Sequence, residues 1–299
     1  MSDHTVVGIL GFGEVGFTLG RELSANGYPV LAWDIQFSTA NSAPSRRLAE
    51  QTGVVPAASA RDLSTQSDVL VSAVTAASAI EALKSCEFDG QHECFYVDLN
   101  SVSPHTKCNL ASIATQRGAR FVEAAVMSPI SPKGMASPIL LGGPSAEAFL
   151  PIGIELGFSS LRVSSNEVGR AAATKMCRSV LIKGMEALVT ESMITGAYYG
   201  VTDEVLDSLS SLLPRDDWPE FAQYMMSRSI EHGIRRSEEM MQAALTVQDA
   251  GLEPLMTEAC VERQRRNADF ELSAEVNDLK SLLESLANQL RSRALKETL

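Results

Sequence analysis

The chain has 299 residues, a formal net charge of −12, and 45% hydrophobic against 21% charged residues. That length leaves room for two domains of about 100–200 residues each, and the composition is that of an ordinary globular protein. The acidic balance argues against nucleic acid or an anionic membrane as partner, and no apolar run approaches the ~20 residues of a membrane-spanning helix.

The first element is a short apolar, β-branched run over residues 5–10, which reads as a buried strand. Gly11-Phe12-Gly13-Glu14-Val15-Gly16 follows it, and residues 17–23 then take helical spacing up to the stop signal Asn26-Gly27. A strand, a glycine turn and a helix N-terminus in that order form a cradle for a pyrophosphate. Gly11 permits the turn, Gly13 lets backbone approach phosphate, and Gly16 lets the helix pack on the strand. The next strand, residues 28–33, ends in Asp34, near the ~20 residues downstream at which an acid binds the adenosine ribose. A carboxylate there accepts from both ribose hydroxyls and repels a 2′-phosphate, which favours NAD. Arg46 and Arg47 lie close enough in sequence to keep NADP open, and capping of the following loop is the plainer role for Asp34.

Further strands are expected at residues 68–74, 94–99, 120–126, 138–143 and 161–163, with helix-like stretches at 46–51 and 76–83. The alternation predicts an α/β fold with a Rossmann-type, doubly wound parallel sheet whose ligands lie at the C-terminal strand ends. Val74 and Thr75 end one strand, and Asn100, Ser101 and the polar run to Pro104 follow another, so these join the glycine loop as expected cofactor neighbours. From about Asn166 strand signals nearly vanish. Long helical stretches follow at 169–194, 203–213, 219–250 and from 253 onward, with Leu279, Leu282, Leu283, Leu286 and Leu290 at helical spacing in the tail. The expected division is a dinucleotide-binding domain over 1–164 and an all-helical domain over 165–299.

The helix after Gly169 is rich in small residues, and at ~100° per residue Lys175, Arg178, Ser179, Ile182 and Lys183 share one face. That face is either a solvated basic stripe or an anion- and proton-handling surface. The five cysteines (Cys86, Cys94, Cys108, Cys177, Cys260) lack paired spacing and read as free thiols. The four histidines never reach metal-ligand spacing, so no structural metal is expected. A strand beginning so near the N-terminus leaves no room for a signal peptide, and the expected compartment is the cytoplasm.

With these motifs the chain resembles the β-hydroxyacid dehydrogenase superfamily, which contains the 6-phosphogluconate and 3-hydroxyisobutyrate dehydrogenases, and within it a branch with a phosphogluconate-dehydrogenase-like C-terminal domain of unknown function. Glu123-Ala124-Ala125-Val126-Met127-Ser128-Pro129 resembles the family's substrate loop, with Met127, Ser128 and Pro129 where the family has Ser-Gly-Gly. Gly169, Ala171, Lys175 and Ser179 resemble the catalytic-helix pattern Gly-x-Gly-x-x-x-Lys-x-x-x-Asn, Ser179 standing for the Asn. Arg178-Ser179 replace the His-Asn of the sugar-phosphate enzyme. The resemblance implies hydride transfer between nicotinamide and a small anionic hydroxy or keto acid. It assigns Lys175 as acid/base and sets the Asn100-Ser101 segment beside nicotinamide and substrate.

Lysine suits that role when burial and cationic neighbours bring its pKa near working pH. Ser179 and Asn100 are expected to position the substrate hydroxyl, Ser101 to lie near the nicotinamide, and Arg178 and Lys183 to grip a carboxylate. Decarboxylation would need a second acid, and Glu191 is about four turns along the helix, too far at ~1.5 Å per residue. Two rivals stand beside the dehydrogenase: an imine reductase, against which Lys175 weighs, and a non-catalytic dinucleotide-binding protein. His232, Arg235 and Arg236 read best as a solvated or dimer-facing helix with Glu238 and Glu239 as partners. The Met- and Leu-rich C-terminal half offers more apolar surface than one small domain buries, which predicts a homodimer.

Overall fold

The computed structural model describes residues 5–39, 43–50, 53–88, 93–214, 216–272 and 277–297. The chain divides into two compact units, Met1–Met176 and Cys177–Leu299. The division falls inside a helix, past the 164/165 point at which the sequence changes character.

The first unit runs β1 (Val7–Leu10), α1 (Glu14–Ala25), β2 (Val30–Trp33), α2 (Ala43–Glu50), β3 (Val54–Pro56), α3 (Ala60–Thr65), β4 (Val69–Ser72), α4 (Ala79–Lys84), β5 (Phe95–Asp98), α5 (Pro104–Gln116), β6 (Arg120–Val126), β7 (Ile139–Gly142), α6 (Ala146–Leu156) and β8 (Leu161–Ser165). Among the described residues these strands form one sheet in the order β3-β2-β1-β4-β5-β6-β7-β8. The expected doubly wound sheet is there, with one departure from parallel: β6 and β7 pair antiparallel, and β8 then runs parallel to β7. A parallel return needs a crossover helix, whereas the 127–138 connection holds a single 3₁₀ turn, Gly134–Ala136.

Alternation along the strands explains why both sheet faces are covered. Val7, Ile9, Val69, Val71 and Val97 feed one core with Leu19 and Leu23 of α1. Leu10, Leu70 and Tyr96 feed the other with Leu63 of α3 and Leu110 of α5. Strands buried on both sides read as continuous apolar runs. Strand order reverses between β1 and β4, so their C-terminal ends frame the crevice where such sheets bind ligands.

Helix α7 (Arg170–Tyr199) leads the chain into the second unit, followed by α8 (Thr202–Leu212), α9 (Trp218–Glu231), α10 (Gly233–Asp249), α11 (Leu255–Asn267) and α12 (Leu279–Glu297). Its core joins Met193, Leu206, Trp218, Met226 and Ile230 to Leu279, Leu282, Leu283 and Leu286 of the tail helix. The single helix expected over 219–250 is two. His232 leaves helical geometry at ψ 17°, and a Cβ on Gly233 would stand 2.5 Å from the Gln264 carbonyl oxygen of α11. The close approach of α10 to α11 therefore requires glycine where the break occurs. No described helix is long and apolar enough to cross a membrane.

Candidate active site

The glycine loop turns out of β1 at Gly11, whose φ of +93° suits glycine and few other residues. A Cβ on Gly16 would run into the Gly11 carbonyl oxygen, so the third glycine is fixed by close packing of α1 on the loop. Gly13 differs: a Cβ there would meet nothing within 4 Å. It is the N-cap of α1, and no side chain among the described residues caps that helix start. An uncapped N-terminus facing open space at a strand crossover is the anion cradle that a dinucleotide pyrophosphate fits. Phe12 is buried against Phe17 and Phe37, anchoring the turn, while Glu14 is exposed and Val15 half-buried.

Asp34 closes the same crevice. Its Oδ2 accepts the Phe12 N–H at 2.7 Å and its Oδ1 accepts the Gln36 N–H at 2.8 Å. The carboxylate thus ties the end of β2 to the glycine turn and also caps the loop that follows. Half-buried Arg47 is carried on α2, and the side chain of Arg46 lies outside the described residues.

The loops after β4 and β5 are joined by Asn100. Its Oδ1 accepts the Val74 N–H at 2.8 Å, and its Nδ2 donates to Ser72 Oγ at 2.9 Å and Asp98 Oδ1 at 2.5 Å. Both amide protons are used inside the protein, so Asn100 is a tether between strand ends, a role unlike the hydroxyl positioning expected of it. Thr75 is exposed next to the tethered Val74 and hydrogen-bonds to Ser78. Asp98 is itself held by Lys107 of α5, which donates to its Oδ2 at 2.6 Å and its carbonyl oxygen at 2.8 Å. Asp98 and Lys107 are 0% and 1% exposed, and the sequence reading missed Lys107 and this pairing.

Beyond the tether, half-buried Ser101 receives the key contact: Lys175 Nζ donates to its Oγ at 2.6 Å. The two residues are 74 apart in sequence and belong to the same unit. Ala171, one turn earlier on α7, is buried with Ala125, Leu140 and Met127. Met127 therefore packs at the foot of the lysine-bearing turn, and its N–H is taken by the Pro138 carbonyl. Pro129 has no N–H, which leaves Ser128, half-buried, as the polar group of that corner.

Of the remaining expected site residues, Ser179 is buried one turn beyond Lys175 and Arg178 is exposed. Lys183 is committed elsewhere, being 7% exposed and ion-paired with Glu239 of α10. Burial pulls its pKa down, and the Glu239 carboxylate works against that. Glu186 and Arg236 form a second buried pair at 2.9 Å, and Arg235 reaches Glu239 at 3.1 Å. The helical unit thus neutralises the cation that the sequence assigned to a substrate carboxylate.

Residues 6–148 match the family model described as the NAD binding domain of 6-phosphogluconate dehydrogenase. Residues 197–267 match a domain of unknown function, DUF1932. A conserved hypothetical protein from Sinorhizobium meliloti 1021 is 31% identical, with 96% of this chain and 97% of that chain covered at a TM-score of 0.73. An uncharacterized 28.5 kDa protein of Methanothermus fervidus is 28% identical over 256 residues, 84% of this chain and 94% of its own. The Mycobacterium tuberculosis 3-hydroxyisobutyrate dehydrogenase, solved with L-serine, is 15% identical at a TM-score of 0.69, covering 95% of this chain and 99% of that one. At that identity the likeness is one of fold.

Proposed function

We propose that this chain, which belongs to the β-hydroxyacid dehydrogenase superfamily and carries a C-terminal DUF1932 domain, is an NAD(P)-dependent oxidoreductase interconverting a small hydroxy acid and its keto acid. The observation that carries the reading is the Lys175 ammonium 2.6 Å from Ser101 Oγ, just past the C-terminal end of β5. The Gly11–Gly16 loop and Asp34 hold the dinucleotide, and bound nicotinamide supplies the hydride acceptor or donor. In the oxidative direction neutral Lys175 takes the proton of the substrate hydroxyl; in the reductive direction its ammonium returns a proton to the nascent alkoxide. Ser101 fixes the amine and can hydrogen-bond the same substrate oxygen.

The direct test is fluorescence titration with NADH and NADPH, followed by a panel of hydroxy and keto acids. Tight cofactor binding without turnover across the panel would favour a non-catalytic dinucleotide-binding protein. NAD is the preferred form because the Asp34 carboxylate repels a 2′-phosphate. Asp34→Ser is expected to improve NADPH affinity by about tenfold, a change of roughly 1.4 kcal/mol, while NADH binding weakens as the Phe12 N–H loses its acceptor. An unchanged NADH-to-NADPH ratio would remove Asp34 from cofactor selection.

The chain acts in the cytoplasm as a homodimer formed through its helical unit. Leu181 and Leu188 of α7 and Ile234, Met241 and Leu245 of α10 are 42–64% exposed, the α10 residues along one stripe. Light scattering after size exclusion is expected to give twice the 32.1 kDa chain mass. A monomer at micromolar concentration refutes the assembly.

A further inference from the structure

Glu123 stands in β6 with no solvent exposure, next to Asp98 in the register of β5. Two carboxylates on adjoining parallel strands point to the same side of the sheet, and each needs a compensating charge there. Asp98 has Lys107. Glu123 has the start of α7: its Oε2 accepts the Gly169 N–H at 2.7 Å and its Oε1 accepts the Ala172 N–H at 2.6 Å. The first turn of a helix leaves its N–H groups without intrahelical partners, and here a residue of the sheet, rather than the helix's own N-cap, satisfies two sites at that end. An anion in that place also complements the helix dipole.

Two glycines accommodate the arrangement. Gly169 enters α7 at φ +99°, and a Cβ on Gly142 of β7 would fall within the Glu123 carboxylate. Ala172 precedes Lys175 by three residues, so the clamped turn is the one from which the lysine side chain departs. A lysine stem has four rotatable carbons, and holding its amine against Ser101 requires a backbone origin that does not fray.

We propose that Glu123 is the positioning residue for Lys175: it locks the first turn of α7 to β6 of the sheet and thereby sets the amine against Ser101. The stretch that resembles a substrate loop thus begins with a carboxylate turned to the protein interior, in contact with the catalytic helix. The proposal rests on the oxidoreductase reading for its kinetic consequences, while the clamp itself can be tested without turnover. Charged and titratable groups on the elements that meet at Glu123 are the Asp98–Lys107 pair and Cys108 from β5 and α5, and the Glu167–Arg170 pair at the entry to α7. Burial chiefly, and Glu123 next, push the Cys108 thiol up.

The test uses the full-length protein with Glu123→Gln, close in shape to the carboxylate, and Gly142→Ala, which displaces it. With a substrate from the panel, kcat is expected to fall by about 10–100-fold in both variants, with NADH affinity unchanged. In Glu123→Gln the pH limb belonging to Lys175 shifts, because the amine is no longer held against Ser101. Wild-type kcat and pH profile in Glu123→Gln would overturn the proposal, even if the Ala172 amide exchanged faster. Should the panel give no turnover, mass spectrometry of reductive methylation at Lys175 decides the matter separately. A several-fold faster reaction in Glu123→Gln supports the clamp, and an unchanged rate overturns it.

Discussion

Lys175→Met is expected to lower kcat by about 10²–10⁴-fold, the usual range for removing a general acid/base. Methionine keeps the length and much of the apolar stem but has nothing that titrates, so the hydroxyl proton has no acceptor. The Ser101 hydroxyl loses the donor that now stands 2.6 Å away. NADH affinity is expected to hold, because the glycine loop and Asp34 sit at the other strand ends. Lys175→Arg is expected to fail as well, since a guanidinium that stays protonated cannot act as the base. The measurements are kcat and KM in both directions across pH, with fluorescence titration of NADH on each variant. The limb of the wild-type profile assigned to the lysine should disappear from the residual activity. Turnover by Lys175→Met within a few-fold of wild type, with NADH bound equally, would take the acid/base role away from this residue.

What could be read from the sequence was local. Gly11, Gly13 and Gly16 fall between a β-branched run and a helical one, and backbone conformation over six residues carries that whole signal. The strands buried on both faces were legible for the same reason, as short apolar runs. β3 was not: Val54-Val55-Pro56 is three residues long and ends in a proline. Helix α5 announced itself only through Ser103 before Pro104, a cap-and-N1 signal hidden at the end of a polar loop.

Long-range pairing was illegible. Lys183 shared a helical face with Lys175, so spacing alone grouped the two, but Glu239 lies 56 residues away and only the folded helical unit brings it there. Nothing in the spacing around Lys107 marks it as interior, and its target carboxylate sits on the preceding strand. Glu123 was grouped with the loop that follows it, although strand alternation turns its side chain inward, toward a helix start 46 residues on. Sequence periodicity states which face a residue is on; it does not state which charge waits opposite.

Lys107→Met is expected to destabilise the sheet unit by about 3–5 kcal/mol, because a buried carboxylate is left without its cation. The ammonium and Asp98 are 1% and 0% exposed and 2.6 Å apart, so water does not reach the orphaned charge without local opening. For a unit of this size each kcal/mol lowers the midpoint by about 2–4 °C, giving a fall of roughly 6–20 °C. The effect should also reach the site. Asp98 Oδ1 holds Asn100, and Asn100 holds the Val74 N–H, so loosening the carboxylate frees the loops after β4 and β5 together. NADH affinity is therefore expected to drop with stability, although Lys107 itself is interior. Adding Asp98→Asn to the same protein removes the uncompensated charge and keeps an acceptor for the Asn100 amide, so the double variant should regain much of the lost midpoint. Scanning calorimetry on the single and double variants, each with and without NADH, separates the contributions. If Lys107→Met unfolds at the wild-type midpoint, Asp98 is not left as a buried uncompensated charge, and the stiffness of the Asn100–Ser101 loop must come from the backbone hydrogen bonds of β4 and β5 instead.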